Sequence, residues 1–264
     1  MTAGEHIDLG QAMITMIEPT KDRALLSEYN RWYEHDHCYS GVMVGVGAFS
    51  YGRFVATRAL KNLRFPVEST VANPLDQGSF IAFYFYLDGT IDDHFAWSFP
   101  ASQQLGVDGR LNTDRTHIST SLYDFSGSVN RPGWPVPAEV SLDHRYSGLV
   151  VMWIDRAASS TFDELVTWLH DDWLPGVLKA DASPLAQALV FSPRDFPNVP
   201  NSGVAIGEKV LVALFVSGDP ADIWESHIVP LEASVAAGGH GTVGFAAPFI
   251  PVVPGTETYL DQLW

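Results

Sequence analysis

The sequence predicts an α+β chain of two βαββαβ repeats whose antiparallel sheets pack face to face. Three observations predict it. The order strand–helix–strand–strand–helix–strand can be read twice along the 264 residues. Tryptophans recur at matching places in the helices, Trp32 with Trp168 and Trp97 with Trp224. A stretch rich in Pro and Gly, residues 126–147, divides the copies, so the first repeat spans 1–125 and the second 148–264.

In the first repeat, residues 12–18 (AMITMIE) form a strand. Residues 21–37 form an amphipathic helix, with Leu25, Tyr29, Trp32 and Tyr33 at three- and four-residue spacings. A Gly-rich approach leads into a strand over 49–57. Residues 79–87 (SFIAFYFYL) are strongly β-prone. Asp92 and Asp93 suit the N-terminal end of a helix over 92–105, and a fourth strand runs over 117–125. The second repeat follows the same order. Its strands cover 149–155, 186–191, 209–216 and 241–249. Its helices cover 160–173 and 219–236, the latter entered through Asp219-Pro220.

Composition narrows the function classes. The 32 aromatic residues (8 Trp, 9 Tyr, 15 Phe) and 46% hydrophobic content exclude low-complexity disorder. Fifteen Lys and Arg against 31 Asp and Glu give a formal net charge of −16. Such a chain repels phosphate backbones and anionic lipid, so neither nucleic acid nor membrane is an expected partner. No apolar run is long enough for a membrane span, and the opening MTAGEHIDLG lacks the basic and apolar regions of a leader. A cytoplasmic protein is expected. Cys38 stands alone, which leaves no intrachain disulfide and no cysteine-based zinc site.

A βαββαβ unit is the ferredoxin-like motif, which covers its sheet with helices on one face only. The bare face must be buried. Two such sheets in one chain solve this as an internal pseudo-dimeric α/β barrel. The run Glu28-Tyr29-Asn30-Arg31-Trp32-Tyr33-Glu34-His35-Asp36-His37 resembles the first-helix signature of dimeric α/β-barrel proteins, in particular their EthD-like branch. Trp168-Leu169-His170-Asp171-Asp172-Trp173-Leu174-Pro175-Gly176 is a degenerate second version. The resemblance implies the fold over the whole chain. It does not fix an activity, because the superfamily includes monooxygenases, cyclases, isomerases, dehydratases and haem enzymes.

The resemblance ranks His37 first as a general acid or base, with Tyr33 or Glu34 one helical turn back to orient it. His35 is the second candidate. In the strand over 117–125, alternation puts His117, Ser119, Ser121 and Tyr123 on one face, either the barrel interior or the solvated face of an edge strand. By the same rule Tyr84 and Tyr86 share a face, either as hydrogen-bond donors lining the barrel or as core tyrosines. The catalytic candidates are therefore His37, His35 and His117. The substrate-binding candidates are Tyr33, Tyr84, Tyr86, Ser121, Trp32 and Arg53. His94, Asp143, His144 and His227 read as surface or structural residues, and Cys38 as a buried small residue.

No metal site is expected, since His35-x-His37 lacks the spacing of a helical zinc pair. Haem is possible on one axial histidine, but no haem-binding motif is recognised, and no cofactor is expected. Gly45-Val46-Gly47 lacks the third glycine and the strand–helix context of a dinucleotide site. The expected activity is cofactor-independent acid–base chemistry of the cyclase, isomerase, dehydratase or lyase type. Its substrate would be a small apolar or aromatic metabolite inside the barrel. The alternatives are a cofactor-free monooxygenase of the antibiotic-biosynthesis type and a non-catalytic binder of hydrophobic ligands. A homodimer is a possible assembly.

Overall fold

A computed structural model describes residues 7–179, 183–198 and 204–264. Residues 1–6, which open the stretch expected to lack the regions of a leader, lie outside the described residues. The first repeat holds β1 (Leu9–Pro19), α1 (Arg23–Trp32), β2 (Ala48–Val55), a one-turn α2 (Arg58–Lys61), β3 (Phe80–Leu87), α3 (Ile91–Val107) and β4 (Arg115–Asn130). The second holds β5 (Gly148–Arg156), α4 (Phe162–Trp168), α5 (Leu174–Leu178), β6 (Leu185–Arg194), β7 (Lys209–Val216), α6 (Pro220–Ile223), α7 (Val229–Gly238) and β8 (Gly241–Pro251). The expected order βαββαβ appears twice.

The eight strands close into one antiparallel barrel in the order β1-β3-β2-β8-β5-β7-β6-β4. Within it each repeat keeps the same internal order, 4-1-3-2. The two sheets meet at two seams that differ greatly. At one, β4 pairs with β6 from Leu122 opposite Arg194 to Asn130 opposite Gln187. At the other, β2 and β8 pair only at Phe54–Pro251 and Val55–Ile250. Pro251 has no N–H to extend that ladder. The long seam exists because β4 runs on to Asn130, into the segment expected to be linker.

Alternation along the strands sorts the side chains into an interior and two helix-covered faces. The interior is filled by the chain's own residues, including Ile14, Phe83, Phe85, Tyr123, Trp153, Phe191, Phe215 and Phe245. Trp153 donates its indole N–H to the Tyr123 hydroxyl there. The expected substrate site between the sheets is therefore occupied by protein. Outside, α4 to α7 cover the second sheet over Val150, Met152 and Ile154. Helices α1 and α3 cover the first over Ala82, Tyr84 and Tyr86. No helix among the described residues is long and apolar enough to cross a membrane.

Asp22 caps α1 by accepting the N–H groups of Ala24 and Leu25. Past Trp32 the helix widens into π-helical turns, Tyr33–His37 and Tyr39–Met43. In the second repeat the same change follows Trp168, over Leu169–Trp173. Such turns insert one residue per turn and re-aim side chains. In the first repeat this turns both Tyr33 and Glu34 inward.

Candidate functional site

The short seam leaves a cleft. β2 has no ladder pairing with β8 from Ala48 to Arg53, and beyond one further bond, from Val252 N–H to the Arg53 carbonyl, that edge of β2 is unpaired. The space enclosed is about 720 Å³, within the roughly 300–1,000 Å³ of small-molecule pockets. Phe54, Leu142, Tyr146, Val252 and Val253 give it apolar walls. Glu34, Tyr51, Arg53, Asp143 and His144 are the polar and charged groups on it.

Arg53 and Glu34 form a buried ion pair at 3.1 Å, with side chains 3% and 5% exposed. The same Arg53 Nη1 donates to Asn30 Oδ1 at 2.8 Å. The guanidinium lies over the rings of Phe80 (4.1 Å) and Tyr33 (4.4 Å). Its Nε and Nη2 are buried and have no partner among the described residues. The chain beyond β8 folds back over this pair. Gly255 N–H donates to the second oxygen of Glu34 at 2.8 Å, and Asn30 Nδ2 donates to the Thr256 carbonyl. Asn30 and Glu34, four apart on α1 and its π-helical extension, thus join β2 to the C-terminal segment.

Behind the pair stands a tyrosine stack. Tyr84 donates its hydroxyl to Tyr33 at 2.7 Å, and Tyr51 stacks on Tyr84 at 5.0 Å. The Tyr51 hydroxyl is buried without a partner among the described residues. Burial pushes all three phenols above their usual range, so they remain neutral donors at physiological pH.

Of the catalytic and substrate-binding candidates, Arg53 alone lines the cleft; Glu34, expected only to orient His37, lines it as well. Tyr33 and Tyr84 support it from behind. Tyr84 and Tyr86 do not line the barrel; they lie on the helix-covered face, Tyr86 packed 4.4 Å from His94. His37 stacks on Trp32 at 4.6 Å and meets the edge of Tyr33 at 5.2 Å. Burial, then the nearby charges of Arg115 and His117, pull its pKa down to about 4. It is therefore neutral at ordinary pH, able to accept a proton but not to donate one as imidazolium. Glu34 does not orient it, being committed to Arg53. His35 is exposed. Trp32 donates to the Arg110 carbonyl.

On β4, a bulge where Met16 faces Ser119 and Ile17 faces His117 breaks the expected alternation. Ile118 packs against the interior, while His117 bonds Thr120, whose hydroxyl meets Thr15. His117 is therefore not in the barrel. Ser121 keeps the interior parity but bonds the neighbouring Leu122 carbonyl. His94, expected at the surface, is 1% exposed and bonds the Val46 carbonyl. Cys38 is buried, as expected.

Glu34 as a cleft residue, Tyr51, Asp143 and His144 escaped the sequence reading. A charged Arg53 two residues from Tyr51 on one face of an otherwise apolar strand was the available signal. Asp143 and His144 reach the cleft only through the path of the connection between repeats. Among the described residues no three His, Cys, Asp or Glu side chains gather as a metal cluster would require.

The sequence matches no family model and no curated protein. Solved structures do match in fold. An anthrone oxidase-like protein aligns over 95% of each chain at 10% identity, with a TM-score of 0.56. A dye-decolorizing peroxidase from Bacteroides thetaiotaomicron aligns over 99% of this chain and 97% of its own at 11% identity, TM-score 0.50. A DypB variant from Rhodococcus jostii in complex with haem aligns over 94% and 95% at 10% identity, TM-score 0.50. The last corrects the expectation of a chain without a cofactor. A fold that elsewhere holds haem gives no warrant for cofactor independence. At these identities the likeness establishes architecture, and the chain has the dimeric α/β-barrel fold.

Proposed function

We propose that this chain is an enzyme that binds a small, largely apolar substrate in the seam cleft and moves protons with side chains on the cleft wall. One observation carries the reading: a short seam in an otherwise closed barrel, leaving a cleft with apolar walls and a buried arginine and tyrosine among its lining residues. Pockets of that kind, apolar with a few placed polar groups, are the usual small-molecule sites. In this reading Arg53 and Tyr51 bind the substrate, and Glu34 and Asn30 position Arg53. His144 and Asp143 are the side chains on the wall whose chemistry suits proton transfer. Tyr33 and Tyr84 fix the arginine from behind. His37, Trp32, Tyr86, His35, His117 and Ser121 take no direct part.

A second reading rests on His144. It is the histidine on the cleft wall, exposed, with its ring 4.5 Å from that of Tyr146. Haem iron is commonly held by one axial histidine. The residues present fit that group: His144 as ligand, Arg145 beside it for the carboxylates, and Leu142, Val252 and Val253 as apolar walls. Haem held there would supply redox chemistry; the chain's own residues would bind it, orient it and limit water. A visible absorption spectrum, before and after adding haemin, separates the readings. A stoichiometric Soret band that His144→Ala abolishes selects haem. Without a Soret band, loss of turnover in His144→Ala supports acid–base chemistry, and full retention of turnover refutes it.

Placement in the EthD-like branch and descent of the halves from one duplicated unit are also our reading. The π-helical turns directly after both Trp32 and Trp168 support the duplication.

A further inference from the structure

We propose that the seam cleft takes its ligand by a single carboxylate, received on the free edge of Arg53; this rests on the reading of the cleft as a small-molecule site. A guanidinium is a rigid plane with five N–H groups. In Arg53, Nη1 is already used by Glu34 and Asn30. The unpartnered atoms are Nε and Nη2; both are closed to solvent, so a ligand reaches them only by moving the chain past Pro251 that folds over the pair. These two share one edge of the plane, and their N–H bonds run parallel. That edge is the fork that matches the two oxygens of a carboxylate.

The surroundings restrict what can fill it. Tyr33 and Phe80 lie over the guanidinium and leave no room for an acceptor above the plane at those positions. An acceptor must arrive in the plane, edge-on, as a flat carboxylate does. Buried charged donors without acceptors are costly, so a partner there is favoured. Glu34 and Asp143 both stand on the cleft wall. They oppose a second negative charge, which disfavours a phosphate dianion and favours a monoanion. Tyr51, two residues along the same strand face, offers a second unpartnered group for a hydroxyl or carbonyl of the ligand. The apolar walls take the rest. The class is a monocarboxylic acid with an aromatic or aliphatic body.

The test uses acid and amide of one skeleton, naphthoate with naphthamide and benzoate with benzamide, titrated calorimetrically into the full chain and into Arg53→Lys. Lysine keeps a charge for Glu34 but has no fork. The expected result is an acid bound at least about tenfold more tightly than its amide, with that preference lost in Arg53→Lys. In the wild-type protein, the Arg53 Nε–H resonance should shift downfield with naphthoate and not with naphthamide, a readout that needs no variant. Equal binding of acid and amide overturns the carboxylate inference and keeps the cleft. Binding of neither pair overturns both. A preference that survives in Arg53→Lys, or an unmoved Nε–H with bound naphthoate, overturns the assignment to Arg53.

Discussion

Removing the carboxylate of Glu34 tests the energetic reasoning behind the cleft. Its side chain is 5% exposed and that of Arg53 3%, with 3.1 Å between them. Solvent cannot replace the lost partner at such burial. Glu34→Ala leaves the guanidinium with Asn30 alone and frees the Gly255 N–H. Breaking a buried pair by removing one member typically costs about 3–5 kcal/mol. The exposed pair Arg58–Asp76, 51% and 45% exposed, is the internal control. Asp76→Ala should cost no more than about 1 kcal/mol. Urea unfolding followed by tryptophan fluorescence measures both. Replacing the pair together, Glu34→Leu with Arg53→Met, should recover much of the loss, since no lone charge remains. If Glu34→Ala costs no more than Asp76→Ala, Glu34 and Arg53 do not form a buried ion pair. If the double replacement costs the sum of the two singles, the penalty is not that of an uncompensated charge.

Other expectations follow from single contacts. Tyr84→Phe removes the donor to the buried Tyr33 hydroxyl and should cost about 1–2 kcal/mol in chemical unfolding; an unchanged midpoint would show that the hydroxyl pair contributes nothing. Gly127→Ala, at a φ of +119° and with its new Cβ only 2.8 Å from the His170 ring, should lower Tm by straining the long seam; an equal or higher Tm refutes this. For His37 the sign follows from its pKa of about 4 against 6.5 for the ordinary side chain. Above 6.5 both folded and unfolded chains hold it neutral and stability is unaffected. As pH falls from there toward 4, the unfolded chain takes up a proton that the folded chain refuses, so stability falls. Proton NMR of the ring checks it, and an inflection near 6.5 in the folded protein would be the contrary result.

The elements were legible from local signals. Strand 79–87 could be read from its β-prone composition and the helix after Lys21 from its spacing, and the doubled order then implied face-to-face sheets. The choice of face was not legible. In β3, Phe80, Ala82, Tyr84 and Tyr86 are as apolar as Ile81, Phe83 and Phe85, so alternation groups them without saying which group lies inside. In β4 a single bulged residue moves His117 off the face of Ser119, and no turn residue marks it. The π-helical turn that commits Glu34 to Arg53 likewise leaves no sequence signal. The cleft depends on how far β2 and β8 pair, a contact between residues nearly two hundred positions apart. Pro251 hints at an end to that ladder but not at its partner.

The unequal seams make the barrel mechanically lopsided. Opening the β2–β8 side requires two ladder pairs, the Phe65–Ala246 bridge and the Thr70–Gly244 bond to break, while the longer β4–β6 ladder stays zipped and acts as a hinge. The chain past Pro251 works as a latch across the weak side, fastened by Val252 N–H on the Arg53 carbonyl, Gly255 on Glu34 and Thr256 on Asn30. Breathing of the molecule should therefore open one edge before any other, and amide exchange in the latch should outpace exchange across the hinge.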